Sequence, residues 1–313
     1  MKGTRIDSGQ IASLGATALL SAVLFYSGFF TFLFAVPVQV AWTRHGMQRG
    51  VSAAGITGLL ILVSHAVQAV RLTGGASGLV LVDALMPLGL LGGLVIFNGA
   101  RQYPWWLRLL AGGALALAGA FPSLRIIAML GQENGEVTQQ FSSMLAMMGI
   151  EHGQTAWIAL VRRVVLNSVG IALVAGIAAN WWLGTGIVLR SRGTSVTLRG
   201  VSVPEQLIWM VIGGLAIILM TWVSGADRLA PLGWNLFLVG GFLFALQGVG
   251  VIQHLLYRRG LAQQGERWVL TVLLVGLFIP GINIVVAGGL PLLGMSELWI
   301  DFKRGERYEG NSE

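Results

Sequence analysis

Residues 78–100 read GLVLVDALMPLGLLGGLVIFNGA, with Asp83 the lone ionisable side chain, and Arg101 follows at once. About 20 apolar residues in helical form cross the ~30 Å hydrocarbon core of a bilayer. The stretch lacks the in/out alternation of a barrel strand, so it reads as a membrane-spanning helix. Five more stretches of the same character lie at about 46–70, 105–130, 158–189, 205–223 and 231–256. Composition points the same way: 55% of the 313 residues are hydrophobic and 11% charged, against about 25% charged in soluble domains. The expected fold class is all-α, a polytopic transmembrane helical bundle forming a single integral membrane domain over residues 1–313.

Two terminal stretches, 11–42 and 268–300, are also apolar. A continuous helix over 11–42 would be about 48 Å long and would need a tilt of roughly 50° to fit the core, beyond the usual range of about 0–40°. Breaks are expected at Ser27-Gly28 or Pro37 in the first stretch and at Pro280-Gly281 in the second. The span count centres on eight, within a range of seven to ten. Lys2 and Arg5 precede a run that is too long for a signal peptide and has no small-x-small cleavage site, so it reads as a retained span.

The net charge of +7 sits in clusters beside the spans, a topology signal rather than a nucleic-acid footprint. Fifteen of the twenty basic residues fall in one set: Lys2, Arg5, Arg44, Arg49, Arg101, Arg108, Arg190, Arg192, Arg199, Arg258, Arg259, Arg267, Lys303, Arg304 and Arg307. That set marks the cytoplasmic face. Arg71, Arg125, Arg162, Arg163 and Arg228 mark the other. Residues 131–155, with Glu133, Glu136, Glu151 and an amphipathic Phe141–Ile150, then form an outer connecting loop, and 301–313 a short cytoplasmic tail. The expected location is the bacterial cytoplasmic membrane, multi-pass, with membrane lipids as neighbours.

Glycine and alanine recur four residues apart at Ala54/Gly58, Gly112/Ala116/Ala120, Ala172/Gly176 and Gly241/Ala245, a spacing that lets helix backbones approach closely in lipid. Trp42, Trp105, Trp106, Trp181, Trp182, Trp209, Trp222, Trp234, Trp268 and Trp299 read as an interfacial aromatic belt. Pro104, Pro204 and Pro231 sit where helices start. Pro37, Pro87, Pro122, Pro280 and Pro291 lie inside apolar stretches and mark kinks or half-helices, which need protein or a cavity to satisfy the freed backbone.

No cysteine is present, which removes disulfides, thiolate metal sites and cysteine nucleophiles. The sequence has no HExxH, no GxSxG and no Walker lysine, its only lysines being Lys2 and Lys303. No enzyme activity, cofactor or metal is expected.

Polar residues inside the spans carry the functional reading. Asp83 and Arg125 lie at matching depths, and buried charges are costly unless paired or hydrated, so an Asp83–Arg125 ion pair or shared wet pocket beside Pro122 is expected. His65, Gln68 and Arg71 form an i, i+3, i+6 row, with Asn167, Asn235, Asp227, Arg228, Arg162 and Arg163 near the same outer ends. Alone, His65 reads as a packing histidine rather than a proton carrier. So does His254, with Gln247 one heptad earlier. His45 and His152 read as solvated. The leading expectation is a transport-related protein that binds a small anionic or zwitterionic solute, or a lipid headgroup, in an outer-half cavity. The competing one is a scaffold or regulator holding a partner through Arg190, Arg192, Arg199, Arg258 and Arg259.

Three local patterns stand out: Pro37 followed by Thr43-Arg44-His45-Gly46; Gly248-Val249-Gly250-Val251-Ile252-Gln253-His254 running into Tyr257-Arg258-Arg259-Gly260; and Glu297-Leu298-Trp299-Ile300-Asp301-Phe302-Lys303-Arg304. In order and spacing they resemble the YybS-like family of bacterial multi-pass membrane proteins. Glu297 and Lys303 depart from the acidic and arginine residues typical of that family's end, and Lys does not reproduce Arg's bidentate fork. The family is similar, more remotely, to substrate-binding membrane subunits of energy-coupling-factor vitamin transporters. That resemblance implies a separate energising subunit, because the chain has no nucleotide motif, and it carries over no catalytic residue.

Overall fold

The structure, a computed structural model, describes residues 8–71, 76–129, 138–139, 142–143, 146, 154–261, 271–273, 275–300 and 302. The expected outer loop and tail fall almost wholly outside them. Among the described residues there is no strand. Seven helices are long and apolar enough to cross a membrane: 47–71, 80–99, 105–128, 155–191, 205–224, 227–258 and 282–300, with a shorter apolar helix at 12–26. All six expected spans are among the seven. The chain is therefore an all-α, multi-pass membrane protein with about eight spans. It divides into two compact units, Met1–Ser195 and Val196–Glu313.

The first unit begins with α1 (Ser8–Tyr26), a single 3-10 turn (Thr31–Leu33), α2 (Val36–His45) and α3 (Met47–Arg71). The first apolar stretch is thus broken, as its length requires. Local chemistry explains where. Ser27 Oγ donates to Leu24 O at 2.7 Å and accepts from Phe30 N–H at 3.0 Å, and Thr31 Oγ1 donates to Phe25 O at 3.0 Å. These hydroxyls satisfy backbone groups that the end of α1 leaves free. Pro37 falls in the first turn of α2, where a missing N–H costs nothing. At ten residues α2 is only about 15 Å long, a half-helix. Gly46, at φ +85°, adopts a left-handed conformation that few residues tolerate and turns α2 back into α3.

The next elements are α4 (Ala76–Asp83), α5 (Leu85–Gly99), α6 (Trp105–Ala128) and α7 (Gln154–Ser191). The span that holds Asp83 is interrupted at Ala84. Pro87 has no N–H to donate to the carbonyl of Asp83, four residues back, and its ring crowds that carbonyl. The helix breaks there. Pro122, by contrast, lies inside α6, which continues past it.

Small residues set the packing. A Cβ on Gly93 would stand 2.5 Å from Gly112 O, and one on Gly119 2.6 Å from Leu85 O, so α5 and α6 are in backbone contact. The expected Gly112/Ala116/Ala120 stripe is this seam, with Ala116 and Ala120 buried. Trp42 departs from the aromatic belt: it is 2% exposed and covers Gly50, where any Cβ would strike its ring. An indole held between α2 and α3 anchors helices to each other and not to headgroups.

The second unit contains α8 (Ile208–Ser224), α9 (Ala230–Arg258) and α10 (Ile282–Ile300). Gly281, at φ +86°, places the second break at Pro280-Gly281, as expected. Residues 275–278 before it are helical, and Gly276 lies against Ile282 and Val286, so the chain folds back on α10 as a tight helical hairpin. The close approaches here are at Gly214 against Phe237, Gly248 against Leu290 O, and Gly294 against Phe244 O. Gly241 of the expected Gly241/Ala245 pair faces open space; its neighbour Gly240 makes the contact, with Val211. Trp222 and Val223 are 74% and 90% exposed, which is the pattern of a surface that meets lipid.

Candidate functional site

Two of the expected site residues are brought together, with a partner that the sequence did not reveal. His65 of α3 is buried. Its Nδ1 lies 2.8 Å from Ile61 O in its own helix and 3.1 Å from Tyr26 Oη at the end of α1. Its Nε2 lies 3.5 Å from Asp83 Oδ2 at the end of α4. Phe25 flanks the ring, with centroids 5.9 Å apart. The group therefore joins an uninterrupted helix to the two places in this unit where a helix stops inside an apolar stretch. Both breaks free backbone polar groups, and membrane proteins tolerate that only beside protein or a cavity.

Asp83 pairs with His65 and not with Arg125, which corrects the expected ion pair. Among the described residues no salt bridge joins Asp83 to Arg125, and Arg125 is exposed on α6. Matched depth left azimuth undetermined. The glycine contacts of α5 and α6 fix the rotation of these helices, and that rotation turns Arg125 away.

The other expected residues are dispersed. Gln68 and Arg71 are exposed on α3, and Asn167 is half-buried on α7. Asn235 belongs to the second unit, where its Nδ2 donates to Pro231 O of its own helix at 2.7 Å. Of the expected partner-binding arginines, Arg190, Arg192, Arg258 and Arg259 are exposed. Arg199 stacks on the Tyr257 ring, 4.1 Å from its centroid, a cation–π contact within the second unit.

A second polar group in the first unit is built on the buried amides of Gln39, Asn98 and Asn180. Gln39 and Asn98 exchange amide hydrogen bonds, Asn98 Nδ2 to Gln39 Oε1 at 2.7 Å and Gln39 Nε2 to Asn98 Oδ1 at 3.3 Å. Gln39 Nε2 also reaches Thr185 Oγ1 at 3.1 Å and Thr43 Oγ1 at 3.2 Å. Asn180 Nδ2 donates to Phe32 O, in the 3-10 turn before α2, and to Gly176 O, both at 2.7 Å. These neutral groups pin the half-helix α2 to α5 and α7. Sequence reasoning missed them because uncharged amides do not announce themselves, although Gln39 between Val38 and Val40, and Asn98 after Phe97, are polar interruptions of apolar runs.

In the second unit, Gln247 and Gln253 of α9 do similar work. Val203 N–H donates to Gln247 Oε1 at 2.6 Å and Leu198 N–H to Gln253 Oε1 at 2.7 Å, while Gln247 Nε2 donates to Gly294 O at 3.0 Å. The Gly248–His254 motif is thus a structural one: its small residues admit α10, and its glutamine holds the extended segment that precedes α8. Glu297 Oε2 accepts from Phe302 N–H at 3.1 Å, which closes the end of α10. Among the described residues no group of three or more His, Cys, Asp or Glu could hold a metal ion.

The chain matches no protein-family model, no curated protein and no solved structure.

Proposed function

We propose that the chain is a transport-related protein of the bacterial cytoplasmic membrane, and that its first unit binds a small polar solute beside Tyr26, His65 and Asp83. The observation that supports this reading is the convergence of those three side chains, from three helices, at two helix breaks. Ionisable residues within membrane spans cost several kcal/mol unless paired or hydrated, and they mark pathways and binding sites. Discontinuous helices that leave backbone free at membrane depth are the arrangement from which many transporters build their sites. The basic clusters at the opposite helix ends support the orientation. Asp83 forms one open edge of the site, with its side chain 70% exposed, against 5% for His65. A solute that enters there meets a carboxylate first and the phenol and imidazole behind it.

The test is native mass spectrometry of the full chain in lipid nanodiscs after incubation with a small-molecule extract. The expected result is a retained solute on the wild type that is lost in D83N and H65Q, with unchanged elution on size exclusion. Equal retention by all three proteins would remove these residues from the site.

A further inference from the structure

We propose that His65 and Asp83 together bind one exchangeable proton, which the chain takes up and releases through the open edge of Asp83. Coupling of that proton to a solute rests on the reading above; the proton site itself does not.

The argument starts from the tautomer of His65. Ile61 O is a carbonyl and can only accept, and it stands 2.8 Å from Nδ1. One ring proton is therefore on Nδ1, and Tyr26 Oη, 3.1 Å from the same nitrogen, offers it a second acceptor. In a neutral imidazole with that tautomer, Nε2 carries a bare lone pair. Yet Nε2 faces Asp83 Oδ2 at 3.5 Å. A lone pair against an ionised carboxylate is repulsive, the more so where water is scarce. A further proton on this side of the ring turns the contact into an attraction, either on Nε2, as imidazolium and carboxylate, or on Asp83, as imidazole and carboxylic acid. Both forms are neutral overall, so exchange between them moves a proton across one contact without changing the charge of the site.

Release breaks that N–H or O–H bond and forms an O–H bond to water at the exposed carboxylate, taking the site from net zero to −1. The charge then sits at the last residue of α4, against the carbonyl end of a helix, where negative charge is disfavoured. Few groups offset it. Tyr26 is the titratable group that α1 presents to His65. Arg71 is exposed one and a half turns further along α3, and Arg125 on α6, which packs on α4, forms no ion pair with Asp83. On α2 the charged and titratable residues are Arg44 and His45, in its last turn, and α5 has none. The released site is thus a carboxylate at a helix break that faces the His65 ring. The exposure of Asp83 beside the burial of His65 gives the proton a port and a seat.

The experiment is ¹⁵N NMR of the histidine-labelled full chain in nanodiscs at neutral pH, without added solute, with His65 assigned by the signal that H65Q removes. The expected wild-type result is a proton fixed on Nδ1, together with either a second proton on Nε2 or an infrared carboxylic-acid band that D83N abolishes. In D83N, which keeps an amide to face Nε2, His65 should be neutral with the proton on Nδ1 alone. A neutral ring protonated on Nε2, or a bare Nε2 with no carboxylic-acid band, would overturn the proposal. Identical ring states in D83N and the wild type with no band difference would do the same. Solute retention is measured separately, so a chain that binds the proton and retains nothing would sink the transport reading and leave this one standing.

Discussion

The His65 group of the first unit and the glutamine clamp of the second are built from a similar plan and put to opposite ends. In each, a long helix passes through an apolar bundle and presents polar side chains to a place where a neighbouring helix ends or the chain is not helical. In the second unit Gln247 and Gln253 are both buried, and their oxygens accept from backbone N–H groups. Amides do not titrate, so this contact has one state. In the first unit the partners are two titratable side chains, one buried and one open. On the proposal above, that contact holds a proton that the amide clamp cannot. The lesson is that burial alone does not mark a site: the chemistry of the partner does.

The comparison breaks most severely at Gly294. A Cβ there would overlap Phe244 O, and overpacking of this kind costs about 1–3 kcal/mol or more. Gly294→Leu should prevent α9 and α10 from packing, read as loss of a monodisperse peak on size exclusion. Gln247→Leu comes next. It leaves Val203 N–H buried without a partner, at about 1–3 kcal/mol, and should lower the detergent melting temperature and expose 196–204 to protease. Asn98→Leu removes the reciprocal amide from Gln39 and should cost about 1–3 kcal/mol on the same grounds, read in the same melts. At the small end, Asp83→Asn should change stability by less than about 1 kcal/mol, as for other open ion pairs, while it abolishes solute retention. A large stability loss in D83N with retention intact would erase the distinction between the two regions.

Much of the fold was legible because hydropathy and length are properties of single segments. All six spans, the break near Ser27 and Pro37, and the turn at Pro280-Gly281 followed from counting residues against bilayer thickness. The site was less so. Asp83 and His65 were visible as polar residues at comparable depth, but which side chain Asp83 meets depends on helix rotation, and rotation depends on contacts such as Gly93 with Gly112 and Gly119 with Leu85. Periodicity names a face and leaves its neighbour open. Tyr26 escaped notice for a related reason: it lies within the apolar stretch 11–42, and nothing in the sequence sets it against His65. Trp42 read as part of the interfacial belt and is buried. Gln39, Asn98 and Thr185 were illegible because their meaning lies in one another, across separations of 59 and 146 residues.

Those separations bear on how the protein is made. The half-helix α2 is too short to be accepted by an insertion channel as a span of its own. Its amide partner on α5 emerges from the ribosome some sixty residues later, and Thr185 and Asn180 on α7 later still. Until then the polar groups of residues 27–45 lack those partners and must be hydrated. A stalled nascent chain that ends before α7 should therefore leave this segment open to aqueous labelling reagents, and one that ends just beyond it should not.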